Sequence, residues 1–184
     1  TWEVEMKTNQ TELTNMQNKS MLEHALQYAL SGLAVFPVHT VQVNGSISCS
    51  CGNESCNNAG KHPRTKNGLK DATTNVETIR NWWAQWPNAN IGLATGTANN
   101  MLVLDVDPIH GGNESLQELE NEYGNLPITP TVRTGSNGRH CLFKCPSVVQ
   151  KNSHGFMPGL DIKCEGGYIV AAPSLHKSRN RYEW

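Results

Sequence analysis

The stretch NNMLVLDVDPIHGG, residues 99–112, decides how the rest of the chain is read. Met101, Leu102, Val103, Leu104 and Val106 make an apolar run of strand length, bounded by Asn-Asn before it and Pro-Ile-His-Gly-Gly after it. Asp105 and Asp107 break into the end of that run. Side chains two apart on a strand project from one face. Two carboxylates held that close repel, and at least one would take up a proton near neutral pH. A divalent cation removes the conflict, and Mg²⁺ is usually held by one or two carboxylates plus substrate phosphates. The plainer alternative is that Asp107-Pro108 ends a strand and opens a turn.

A third acid has the same setting. Asp161, in GLDIK (159–163), lies between Leu160 and Ile162 on a second apolar strand. Three acids from two strands suit one or two metal ions, as in two-metal phosphoryl-transfer sites. Lys163 shares the face of Asp161, where it would meet a substrate phosphate or form a cross-strand ion pair.

Outward from this pair, the segment TPTVRTGSNGRHCLFKC (129–145) reads as a β-hairpin around a Gly-rich turn. It carries Arg133, Thr134, Ser136, Arg139 and His140 around Gly135 and Gly138. Such glycines let the backbone approach a ligand and offer N–H groups to phosphate oxygens, or they simply make a tight turn. The segment GLDIKCEGGYIVAAPS (159–174) is expected to repeat the hairpin with its turn at Gly166-Gly167. The tail after it holds His176, Lys177, Arg179 and Arg181.

Three helices are expected. One starts at Ser20 and ends at Gly32, with Leu22, Ala25, Leu26, Ala29 and Leu30 at helical spacing. The second is TTNVETIRNWWAQWP, capped by Thr74 or Asn75 and closed by Pro87. The third is NESLQELENEYG, with Leu116, Leu119 and Tyr123 on one side. The order α-β-(insert)-α-β-β-α-β-β-β-β describes an α+β protein, largely antiparallel in its second half.

The 184 residues fit one domain, expected over 20–184, after a polar, flexible leader (1–19) without a signal-peptide core. The chain stops at RYEW inside a strand-like run, as an excised part of a longer protein would. No 18-residue apolar run exists, so no membrane helix is expected. Fifteen basic and 16 acidic residues give a net charge of −1, with local basic patches at GKHPRTKNGLK and HKSRNR. A strongly basic domain is therefore excluded, but a locally basic binding surface is not.

Six cysteines are present, three of them crowded into CSCGNESCNNAGKHP. Cys49, Cys51, Cys56 and His62 give C-x-C-x₄-C-x₅-H in a Gly/Asn-rich insert, about 45–65, that has no core of its own. A structural, tetrahedral Cys₃His zinc site accounts for this set better than disulfides, which would need an oxidising compartment. The other possibility is unpaired surface cysteines.

Together these motifs resemble a known family. GKHPRTKNGLKDATTNVETIRNWWAQWPNANIGLATG, LVLDVD, TGSNGRHCLF and GLDIKCEGGYIVAAPSLHKSRNRYEW, in that order, are similar to the bifunctional primase/polymerase (Prim-Pol) domain of the archaeo-eukaryotic primase superfamily. The family's D-x-D falls on Asp105 and Asp107, its small-x-His on Gly138-Arg139-His140, and its apolar-Asp on Leu160-Asp161. The resemblance implies that the three acids are catalytic and bind Mg²⁺ or Mn²⁺, two ions in all. It implies that His140 meets the incoming triphosphate, with Ser136, Lys163 and His176 also holding the nucleotide. It also implies an RRM-like antiparallel catalytic half packed on an N-terminal α/β half, with the zinc-binding insert. The implied partners are DNA template and primer, dNTP or NTP, and a helical primase region and helicase in the full-length protein. The implied setting is the cytoplasm of a prokaryotic host, encoded by a plasmid, phage or other mobile element. Two other readings use the same residues: a metal-dependent nuclease, and a non-enzymatic zinc-dependent nucleic-acid-binding module.

Overall fold

The protein is described here from a computed structural model, which covers residues 19–148 and 151–184. The expected leader, apart from Lys19, lies outside the described residues. In chain order the elements are α1 (Met21–Leu30), β1 (Val35–Val38), β2 (Val41–Asn44), β3 (Ser46–Cys49), α2 (Val76–Gln85), β4 (Asn90–Ala94) and β5 (Met101–Val106). They continue with α3 (Gly112–Tyr123), β6 (Thr131–Arg133), β7 (Arg139–Lys144), β8 (Ser153–Met157), β9 (Leu160–Lys163) and β10 (Tyr168–Val170). This is a mixed α+β architecture, and among the described residues no helix is long and apolar enough to cross a membrane.

The helices start where the capping chemistry requires. The Ser20 hydroxyl accepts from Glu23 N–H, and the Glu23 carboxylate accepts from Ser20 N–H, a reciprocal box that satisfies two orphan donors. Asn75, rather than Thr74, caps α2 through Thr78 N–H.

Two antiparallel sheets carry the site. One has the order β1-β4-β10, and the other β6-β7-β5-β9-β8. β5 is the centre of the five-stranded sheet, so its two faces are buried differently. Leu104 and Val106 point to the side covered by Leu116 of α3. Met101 and Val103 point to the other side and join Phe36, Ile91, Leu93 and Ile169 of the three-stranded sheet in the main core. Ile79 and Trp83 of α2 and Ala25 and Ala29 of α1 close that core from outside. Strand alternation therefore sends Asp105 to the same side as Val103, toward the other sheet.

Three expectations change. The Gly166-Gly167 turn does not make a hairpin: β9 pairs with β5 and β8, whereas β10 pairs with β4. The turn carries the chain from one sheet to the other, because β10 is buried best beside β4. The hairpin partner of β9 is β8, joined through Pro158-Gly159 with an irregular register. Tyr123 does not share the packed side of α3; it is 76% exposed, while Leu116 and Leu119 pack. Tyr123 is the last residue of the helix. The cysteine-bearing insert, given no strand in the expected order, contributes β3, which pairs with β2 just before it.

Candidate active site and metal centre

The register of the five-stranded sheet assembles a row of polar side chains. Asp105 on β5 stands opposite His140 on β7 and opposite Asp161 on β9. Direct cross-strand partners share a face, so all three look toward the second sheet. His154 of β8 extends the row, its Nδ1 3.1 Å from Asp161 Oδ2. Lys163, two residues along β9, places Nζ 2.7 Å from the same oxygen. His140 Nε2 stands 3.6 Å from Asp105 Oδ1. The row borders a cleft of about 470 Å³ that Lys61, Tyr168 and Tyr182 also line.

The electrostatics of the two acids differ sharply. Partial burial pushes the Asp105 carboxyl up to about 6; Lys163 opposes the rise and Asp161 adds to it. Burial also acts upward on Asp161, but hydrogen bonds from Lys163, from Gly155 N–H (2.7 Å) and from His154 outweigh it, and bring it down to about 2. Asp161 is therefore a satisfied anion, and Asp105 is a carboxylate short of positive charge. His140, only 6% exposed, is held down to about 3, by burial first and then by Lys61 and Lys163. It is a neutral imidazole, and its Nδ1 is buried without a partner.

Asp107 does not stand beside Asp105 as strand alternation alone would have it. β5 ends at Val106, and Asp107 turns to cap the 3₁₀ turn Pro108–His110, accepting from Ile109 N–H at 3.0 Å and pairing with His110 Nδ1 at 2.8 Å. Asp107 and Asp161 thus each take local donors. Ser136, Gly138, Arg139 and His176 are absent from the cleft lining. Arg139 alternates with His140 and faces away from it. The four sit around the same end of β5: Arg139 is opposite Val106, and a Cβ on Gly138 would come within 2.5 Å of Val106 O. His176 packs on Gly135, where a Cβ would lie 2.1 Å from the His176 Cβ; that closeness is why glycine is needed there. Its ring Nδ1 accepts from Ser178 N–H, and its Nε2 is buried without a partner.

Sequence reasoning passed over Lys61, His154 and Tyr182. The Pro158-Gly159 turn was the available signal for His154, because a hairpin there brings β8 against Asp161. Tyr182 lies between two histidines, with ring centroids 5.9 Å from His140 and 5.9 Å from His176. Nothing in the local sequence marks that contact.

The cysteine set does come together. The ligand atoms of Cys49, Cys51, Cys56 and His62 all lie within 4.8 Å of one another. His62 Nε2 is 3.3 Å from Cys49 Sγ and 3.5 Å from Cys56 Sγ. A tetrahedron with Zn–S and Zn–N bonds of about 2.3 and 2.0 Å has edges of roughly 3.5–3.8 Å, so the donor set fits zinc. The Cys51 thiol is pulled down, chiefly by the Asn53 N–H, toward the thiolate that zinc binds. His39 stacks on His62 at 4.3 Å and fixes its ring. Among the described residues, no other group of three or more metal-competent side chains gathers so closely.

Comparison with curated proteins finds no match for this chain. The family model described as bifunctional DNA primase/polymerase, N-terminal, matches residues 25–184, from α1 through both sheets to the last residue. The chain belongs to the Prim-Pol family, whose members are nucleotidyltransferases of the primase/polymerase type acting on DNA and nucleotides.

Proposed function

We propose that the acid-lined cleft is the catalytic centre of a template-dependent DNA polymerase/primase, transferring nucleotides from a (d)NTP to a 3′-hydroxyl. The observation that carries this reading is the cross-strand row of His140, Asp105, Asp161 and His154 facing a cleft that also receives Lys61 and Lys163. Acids and cations side by side suit a metal-bound triphosphate.

Asp105, Asp107 and Asp161 are the residues that would hold two Mg²⁺ or Mn²⁺ ions; three hard carboxylates suit such cations. Ions of this kind activate the attacking hydroxyl and neutralise charge on the α-phosphate. Asp105, with its raised carboxyl, is the residue with most to gain from a cation. Lys163 and Lys61 neutralise the triphosphate. Neutral His140 donates a hydrogen bond to a phosphate oxygen while its position against Asp105 keeps the acid and the nucleotide in register. Ser136, Gly138, Arg139 and His176, clustered near Val106, form the outer part of the nucleotide site. The domain spans residues 20–184, its sheet of five strands serves as an RRM-like catalytic half, and the Cys₃His insert (about 45–65) is a zinc-folded wall of the cleft.

A primer-extension assay tests the reading, with primed template, dNTPs and Mg²⁺ or Mn²⁺. The wild type extends the primer, and Asp105→Asn and Asp161→Asn each lose about two orders of magnitude or more, a few kcal/mol of transition-state stabilisation. Undiminished extension by Asp105→Asn would sink the assignment. DNA cleavage that needs no nucleotide would replace it with a nuclease.

A further inference from the structure

A second cleft, about 570 Å³, lies between β2 and the end of α2. Arg64 and Arg181 line it and no carboxylate does, in a chain whose net charge is −1. The Arg64 guanidinium lies over the Trp86 ring, 4.9 Å from its centroid. Its Nη1 donates to Ser50 Oγ at 3.1 Å, and its Nε is buried without a partner. The exposed amides of Gln42, Gln85 and Asn88 stand around this stack.

This cleft shares both walls with the acid-lined one. The segment 58–64 turns Asn58 and Lys61 into the acid cleft and Arg64 into the second. Arg181 and Tyr182, adjacent in the chain, likewise face opposite clefts. Asn90 ties the two walls together by donating to Gly60 O at 2.9 Å and Leu175 O at 2.8 Å.

We propose that the second cleft binds single-stranded DNA, as the continuation of the strand held at the acid-lined cleft. That continuity rests on the polymerase reading. The chemistry of the cleft itself does not: guanidinium groups meet phosphates, the Arg64 plane held over the Trp86 indole offers a stacking surface to an unpaired base, and amides reach base edges. A duplex keeps its bases stacked on each other, so it cannot use that plane. The local cationic lining also explains how a chain without a basic balance engages DNA.

The test is fluorescence anisotropy of a labelled oligothymidylate and of a duplex of equal length, with the whole chain, at about 50 and about 200 mM salt. The wild type binds the single strand more tightly. Gln42→Glu/Gln85→Glu, which puts two carboxylates at exposed positions on opposite walls, weakens that binding tenfold or more. Arg181→Ala lowers the salt slope by roughly 0.7, the share of one single-strand phosphate contact. Both variants keep the wild-type far-UV circular dichroism spectrum, which shows them folded. Single-strand affinity within twofold of wild type in both variants, or equal weakening of duplex binding, overturns the proposal. Asp105→Asn binds the oligothymidylate as the wild type does. If wild-type protein binds it through this cleft and yet never extends a primer, the strand site stands and the polymerase reading falls.

Discussion

A buried asparagine holds the site's walls in place. Asn90 is 1% exposed and uses both ends of its amide: Nδ2 donates to Gly60 O and Leu175 O, and Oδ1 accepts from Leu175 N–H at 2.9 Å and Thr40 Oγ1 at 3.2 Å. Asn90→Ala leaves four partners unsatisfied, two in buried and two in partly buried bonds, each worth about 1 kcal/mol. Urea unfolding is therefore expected to show a loss of about 3–4 kcal/mol, and a loss under 1 kcal/mol would mean that water replaces the amide. At this scale the sequence shows chemistry better than geometry. Asp105, Asp161 and Lys163 are recognisable because acids and a lysine on apolar strands are out of place. Asp107 reads from spacing as sharing a face with Asp105, but the structure turns it away, since the residue after a strand is free to cap the turn that follows. Asn90, Lys61, His154 and Tyr182 carry no such mark; their partners lie on elements distant in the chain.

Among the elements, the insert has the least to hold it. β2 and β3 form an isolated two-stranded hairpin, and such hairpins are marginal in water. Its buried anchors are Val41 and Cys49, a cross-strand pair at its open end, and Val43 and Ile47 stay substantially exposed. If zinc closes the Cys₃His set, it supplies the missing folding energy. Stripping the metal with a chelator at neutral pH is expected to raise amide hydrogen exchange over residues 46–62 while β5, β7 and β9 remain protected. Cys56→Ser should reproduce that pattern without chelator, and unchanged exchange in the insert under both treatments would show that the hairpin holds itself. The three helices were legible from apolar spacing, and the first two also from their capping residues, both of which act locally. The β6–β7 hairpin was legible for the same reason. The partner of β10 was not, because the Gly166-Gly167 turn looks the same whether the chain folds back or crosses to β4. That choice belongs to burial in the main core, where Ile169 and Val170 pack.

Over the whole molecule, the two sheets meet around Tyr182, which is 3% exposed and flanked by His140 and His176. Both histidines are kept neutral in the fold, so acid should act on the junction between the sheets. His176 is 4% exposed; burial first, then the charges of Lys61 and Lys177, hold it down to about 4, with Asp107 pulling the other way. In the unfolded chain it titrates near 6.5. The unfolded state thus binds a proton that the folded state refuses. The stability linked to His176 is complete above about pH 6.5 and is lost as the pH falls toward 4, by up to about 3 kcal/mol. Asp105 works against this trend: its raised carboxyl favours the folded state as the pH drops below about 6. Comparing wild type with His176→Gln, by urea unfolding at pH 7, 5 and 4, cancels that contribution because Asp105 is common to both. Glutamine does not titrate, so the variant, less stable at pH 7 through lost packing on Gly135 and Tyr182, should close most of the gap by pH 4. Parallel stability curves from pH 7 to 4 would mean that His176 keeps its ordinary affinity for a proton in the fold, and that the junction between the sheets is not where acid acts.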